Sequence, residues 1–166
     1  MLNEAISELK NEKVSSNNWS PVINLGFSYN IPEDYILNLD LRMQIYRKIS
    51  NTNEILELKK IISNLEDRFG KFPKLFNNLF KIIEIKILCK KLNIEKIDNS
   101  PEGFVFKLRN IEMSYIDNLI SLAKKNTKRI KLLPNSKLIY ISKKYDNFEK
   151  VLELKKFLES LIKYVE

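Results

Sequence analysis

Leu65-Glu66-Asp67-Arg68-Phe69-Gly70-Lys71-Phe72-Pro73 reads as the end of one helix and the start of the next. Upstream of it, Ile55, Leu58, Ile61, Ile62, Leu65 and Phe69 recur three to four residues apart, which makes one apolar stripe on a helix. Gly70 follows the last of them, where a helix commonly needs a residue at positive φ. Pro73 suits the first turn of the next helix, where no amide donor is missed. Phe69 and Phe72 bracket the turn and can pin both helices to one core. Asp67 and Arg68 leave the stripe for solvent. An exposed ion pair of that kind contributes only ~0.2–1 kcal/mol, so stability alone does not require those charges.

Working back from this stretch, Asn51 with Glu54 three residues later has the form of a capping box for the helix that ends at Phe69. Before it, Asn38 or Asp40 can cap a helix carrying Leu41, Ile45, Tyr46 and Ile49. Ile31 to Ile36 is a turn around Pro32. From Pro21 to Tyr29, the residues Ile23, Leu25, Phe27 and Tyr29 alternate with polar or small ones, the pattern of a half-buried strand. Residues 11–20 are a loop by composition. Residues 2–10 form a helix with Leu2, Ala5, Ile6 and Leu9 on one side. Its uncapped start suggests a piece cut from a longer chain, with Met1 as a true start the alternative.

Working forward, the helix after Pro73 is the longest and most apolar, through Leu75, Phe76, Leu79, Ile82, Ile83, Ile87, Leu88 and Leu92. So wide a stripe predicts burial on two sides. The pattern then changes. Ile94 to Ile97 is a short strand, 99–103 a turn, and Phe104, Phe106 and Leu108 alternate with Val105, Lys107 and Arg109 in a second strand. Residues 113–125 make a helix through Ile116, Leu119, Ile120 and Ala123. Ile130 to Leu133 and Leu138 to Ile141 are strands joined by a turn. Phe148, Val151, Leu152, Leu158, Leu161, Ile162 and Val165 stripe a last helix. The expectation is an α+β fold in a single domain over 1–166. Residues 1–93 are mainly helical with one strand. Residues 94–166 form two strand-strand-helix units, giving a small, mostly antiparallel sheet with helices packed on it.

Composition limits the chemistry. The chain has 166 residues, no histidine and one cysteine, Cys89. There is thus no imidazole base or metal ligand, and no internal disulfide. A single thiol fits a reducing, cytoplasmic compartment. Three scattered glycines make no phosphate-cradling loop, so no cofactor site is expected. Glu33-Asp34 and Glu66-Asp67 are neighbours in sequence and point apart on a helix, so neither is an acid/base dyad. Catalysis is not expected. No apolar run approaches the ~20 residues of a membrane span. The net charge of +8 raises nucleic acid as a partner. Lys124, Lys125, Lys128, Lys131, Lys143 and Lys144 are the residues that such a module would use. Against this, only five of the 29 basic residues are Arg, the better fork for phosphates and base edges. The charge is also spread, with net +3 over 1–93 and +5 over 94–166.

Several words of the first half occur together. They are Met1 to Lys10; Ile23-Asn24-Leu25; Ile31-Pro32-Glu33-Asp34-Tyr35-Ile36; Arg42 with Ile45-Tyr46-Arg47-Lys48-Ile49; Asp67-Arg68-Phe69-Gly70 with Pro73; and Leu92-Asn93-Ile94-Glu95-Lys96-Ile97. In this order they resemble the C-terminal domain of the bacterial transcription-repair coupling factor family, Mfd. The second half resembles it only in its order of elements. The resemblance implies a non-catalytic regulatory domain of a larger DNA translocase. The ATP and Mg site of that protein lies in a motor elsewhere in the parent. The whole protein recognises stalled RNA polymerase, moves on DNA and recruits UvrA. This domain packs on an N-terminal UvrB-like module, masks the UvrA-binding surface and restrains the motor. Acidic side chains of the Asp-Arg-Phe-Gly helix meet basic residues of that module. Asp67 matches one such position. Asn64 stands where the family often has an acidic residue one turn earlier, and Glu66 offers a partial substitute beside Arg68. Asn93 replaces the family's glycine and is still tolerable at a left-handed helix end.

Overall fold

The computed structural model describes residues 19–144 and 146–165. The expected helix over 2–10 and most of the loop over 11–20 lie outside the described residues. The elements are β1 (Val22–Asn24), α1 (Leu39–Ser50), α2 (Ile55–Phe69), α3 (Lys74–Lys91), β2 (Ile94–Ser100), β3 (Gly103–Leu108), α4 (Met113–Lys125), β4 (Ile130–Leu133), β5 (Lys137–Ile141) and α5 (Asn147–Val165). They form an α+β fold in which a five-stranded sheet has the order β1-β2-β3-β5-β4. The pairs β2-β3, β3-β5 and β4-β5 are antiparallel. β1 joins β2 in parallel at the edge.

Helix α3 is the centre of the molecule. Ile82, Ile85, Leu88 and Cys89 pack into a core shared with the sheet, α4 and α5. Phe76, Leu79, Phe80, Ile83 and Ile87 pack into a second core with α1, α2 and the 31–36 turn. Its wide apolar stripe is thus divided between two cores, as its width required. Asn93 follows it at φ 53, the left-handed conformation expected there.

Several sequence expectations are corrected. The first strand covers only Val22–Asn24 and not 21–29. Gly26 takes φ +78 and turns the chain out of the sheet. Beyond it, Ser28 accepts a hydrogen bond from Asn78 and the Asn30 amide donates to Leu75. The backbone there serves the start of α3, not a strand neighbour. Asn51 caps the end of α1 and Glu54 caps α2 without a side-chain hydrogen bond, so the capping box does not form. Asn38, not Asp40, caps α1, accepting from the Leu41 amide at 3.0 Å. β2 runs on to Ser100 because its pairing with β3 continues to the two-residue turn at Pro101-Glu102. Pro73 is the N-cap of α3, one place earlier than its first turn.

The stripes of the last two helices are also rotated. In α4 only Leu119 is fully buried, with Tyr115, Leu122 and Ala123 beside it, while Ile120 is exposed. In α5 the inner residues are Val151, Leu154, Phe157, Leu158 and Leu161, and Phe148 and Leu152 face solvent. Both helices are amphipathic on a broad arc. Which part of that arc is covered depends on their mutual packing and not on period alone.

Candidate functional site

The end of α2 is held from below by residues distant in sequence. Gly70 takes φ 84 and ψ −166, a conformation open to glycine almost alone, and its amide closes on the Glu66 carbonyl at 2.8 Å. The Tyr35 hydroxyl donates to the Gly70 carbonyl at 2.6 Å. The Tyr35 ring lies 6.2 Å from both Phe69 and Phe72 and 5.7 Å from Phe76. Phe72 in turn meets Phe76 edge-on at 5.0 Å and Phe80 at 4.9 Å. These are favourable tilted and edge-to-face contacts, so the turn is a rigid aromatic knot. Phe69 and Phe72 pin the two helices as expected, with Phe72 fully inside and Phe69 at the margin.

The 31–36 segment that carries Tyr35 is fixed by α1. The buried Arg42 guanidinium donates to the Ile36 carbonyl at 2.7 Å and the Leu37 carbonyl at 3.1 Å. The Ile31 amide donates to the Tyr46 hydroxyl at 2.6 Å. Three sequence words, 31–36, 42–49 and 67–73, therefore form one constellation. The supporting roles of Tyr35 and Arg42 are missing from the sequence reading. A signal for Arg42 existed: it stands three and seven residues before Ile45 and Ile49, on their stripe.

On the outer side of this frame, Asn64, Glu66, Asp67 and Arg68 are all exposed. Asp67 and Arg68 form no ion pair with each other, and among the described residues neither Glu66 nor Asp67 has a salt-bridge partner. Arg68 lies over the Phe69 ring, 5.0 Å from its centroid. Glu66 is close enough to Tyr35 to help raise the phenol above its ordinary range, after burial, which is the larger cause. The result is two free carboxylates on a stiff helix end, able to receive basic groups from another surface.

The lysines singled out from sequence do not form one cluster. Lys124 and Lys125 end α4, and Lys128 lies in the loop that follows. Lys131, Lys143 and Lys144 meet with Lys150 around an open recess beside the end of β5 and the Pro101-Glu102 turn. Cys89 is buried, and burial pushes its thiol well up from the ordinary value, which disfavours the thiolate form.

The profile of the TRCF domain family matches residues 25–119, more than half of the chain and all of the constellation above. The chain belongs to the TRCF domain family. The transcription-repair-coupling factor of Rickettsia bellii is 41% identical over 145 residues, covering 86% of this chain and 13% of its own length. That of Rickettsia typhi is 40% identical over 148 residues, covering 88% and 13%. That of Borreliella burgdorferi is 36% identical over 151 residues, covering 90% and 13%. The chain thus spans about an eighth of the length of the curated relatives it matches. A solved C-terminal domain of transcription-repair coupling factor superposes with a TM-score of 0.70 at 18% identity, covering 88% of this chain and 94% of that one. That likeness establishes a shared TRCF fold. The TRCF match ends in α4, so the last hairpin and α5 lie beyond it.

Proposed function

We propose that this chain is the non-catalytic, autoinhibitory C-terminal domain of an ATP-dependent DNA translocase acting in transcription-coupled nucleotide-excision repair. In this reading it packs on the parent's N-terminal UvrB-like module, masks the surface there that UvrA binds, and restrains the motor. ATP and Mg belong to the motor. RNA polymerase and DNA are met through the parent, which works in the cytoplasm. Among the described residues no helix is long and apolar enough to cross a membrane.

The observation that carries the reading is the α2 end, where exposed Glu66 and Asp67 stand on a frame too rigid for a casual surface turn. A surface prepared in this way loses little entropy when a partner docks. Contacts between domains of one chain commonly cover ~600–1,500 Å² and are rather polar, so they open when a competitor arrives. Tethering holds the two at ~mM effective concentration, so a weak contact still stays mostly closed. A stalled polymerase then needs to favour the open form by only a few kcal/mol.

The test is titration calorimetry of this chain against the separately prepared UvrB-like module. Asp67→Lys is expected to leave the fold intact and to weaken binding about tenfold or more, equivalent to about 1.4 kcal/mol. Unchanged affinity with Asp67→Lys would remove that residue from the interface. No binding by the wild-type chain would end the reading.

A further inference from the structure

The sheet has one covered face and one open face. Ile97, Phe104, Phe106, Leu138 and Tyr140 point into the core beneath α3, α4 and α5. The alternate residues point the other way. Strand register places Lys96 opposite Lys107, and Lys107 opposite Lys137, on three adjacent strands. Neighbouring strands are ~4.8 Å apart, so three ammonium groups are held in a row ~10 Å long. Like charges directly opposite one another in a sheet are destabilising. Lys96 has partial relief from Asp98, at 3.5 Å in the next row. Lys107 and Lys137 have no salt-bridge partner among the described residues.

The second row carries Asp98, Val105, Ile139 and Lys131 across four strands. Beyond Ile141, an open recess of about 440 Å³ brings Lys131, Lys143, Lys144 and Lys150 around Glu102. Lys150 belongs to α5, which packs on the covered face; without it, the open side and the end of β5 hold six lysines, Lys96, Lys107, Lys131, Lys137, Lys143 and Lys144, against Glu95, Asp98 and Glu102, along with half-exposed aliphatic side chains. Its described strand positions carry no aromatic ring for a base to stack on, which single-strand binding surfaces use. They carry no arginine fork for reading base edges either. Just past the end of β3, Arg109 is occupied with the Trp19 ring, 5.3 Å from its centroid. Lysines at the strand positions of a sheet are suited to phosphates as point charges.

We propose that this open face is a docking surface for the phosphate backbone of duplex DNA, bound without regard to sequence. It lies away from the α2 end, so it does not depend on the autoinhibitory reading. The lysines at the end of α4 are excluded from it, because α4 packs on the covered face.

The experiment is fluorescence anisotropy of the full chain with a labelled, mixed-sequence duplex over a series of salt concentrations. One variant carries Lys96→Gln, Lys107→Gln and Lys137→Gln. A control of equal net charge carries Lys124→Gln, Lys125→Gln and Lys128→Gln. Loss of three phosphate contacts reduces the slope of log affinity against log salt by about 2.7. The expected result is that reduction in the sheet variant, with the control close to wild type. Circular dichroism checks that both are folded. Equal losses in the two variants would mean diffuse charge attraction and would overturn the proposal. So would the absence of binding at low salt, tighter binding of oligo-dT than duplex, or displacement of the duplex by poly-glutamate at equal charge, which would assign the face to an acidic protein.

Discussion

Replacing Arg42 by alanine tests the frame beneath the acidic helix end. Arg42 is 8% exposed, and its guanidinium makes hydrogen bonds of 2.7 and 3.1 Å to the carbonyls of Ile36 and Leu37. A hydrogen bond to a charged group contributes ~1.5–3 kcal/mol, and a buried acceptor left unpaired costs about as much again unless water reaches it. The Ile36 carbonyl bond is buried, whereas the Leu37 carbonyl is better placed for rehydration. The expected loss for Arg42→Ala is thus about 3 kcal/mol. The nearby Glu33 carboxylate is 3.8 Å away with its side chain 89% exposed, so the ion pair adds little. Glu33→Gln is expected to cost less than about 0.5 kcal/mol. Arg42→Lys keeps the charge but replaces the planar fork with a single point donor, and should fall midway. Urea unfolding reads all three. At an m-value of ~2 kcal/mol/M, Arg42→Ala lowers the midpoint by about 1.5 M. The reasoning fails if Arg42→Ala stays within about 0.5 kcal/mol of wild type, or if Glu33→Gln is as damaging.

Three further outcomes are expected. Gly70→Ala meets no neighbour within 4 Å, so its whole cost is the backbone conformation at φ +84, about 1–3 kcal/mol in thermal or urea unfolding. Cys89 should resist a thiol reagent at pH 8 in the native chain and react at once in denaturant, because burial raises its thiol far above the ordinary range; rapid native labelling would contradict the packing of α3. Stability should fall as pH rises past about 10, where unfolded tyrosines lose their protons. Burial keeps Tyr115 and Tyr140 protonated in the fold beyond that point, so the unfolded state there binds fewer protons and is favoured. Tyr115→Phe, which removes the hydroxyl that donates to Leu92 at 2.8 Å, should flatten that decline in an alkaline unfolding series.

Helices α1 to α3, the stop at Gly70 and the two-sided burial of α3 are legible in the residues alone, because period, caps and breakers act over a few positions. The exposure of Asp67 follows in the same way from its place off the stripe of α2. Other features depend on contacts that no short stretch contains. β1 pairs with a strand more than 70 residues away, and Gly26 ends it earlier than its alternation predicts. Arg42 and Tyr35 brace the 67–73 turn only because α1 folds back beneath it. The row of Lys96, Lys107 and Lys137 exists only through strand register, since nothing in their spacing along the chain places them side by side. Local propensity sets which segments are helices and where they end. Long-range pairing, a matter of which surfaces exclude water together, selects which faces are covered and which charges meet.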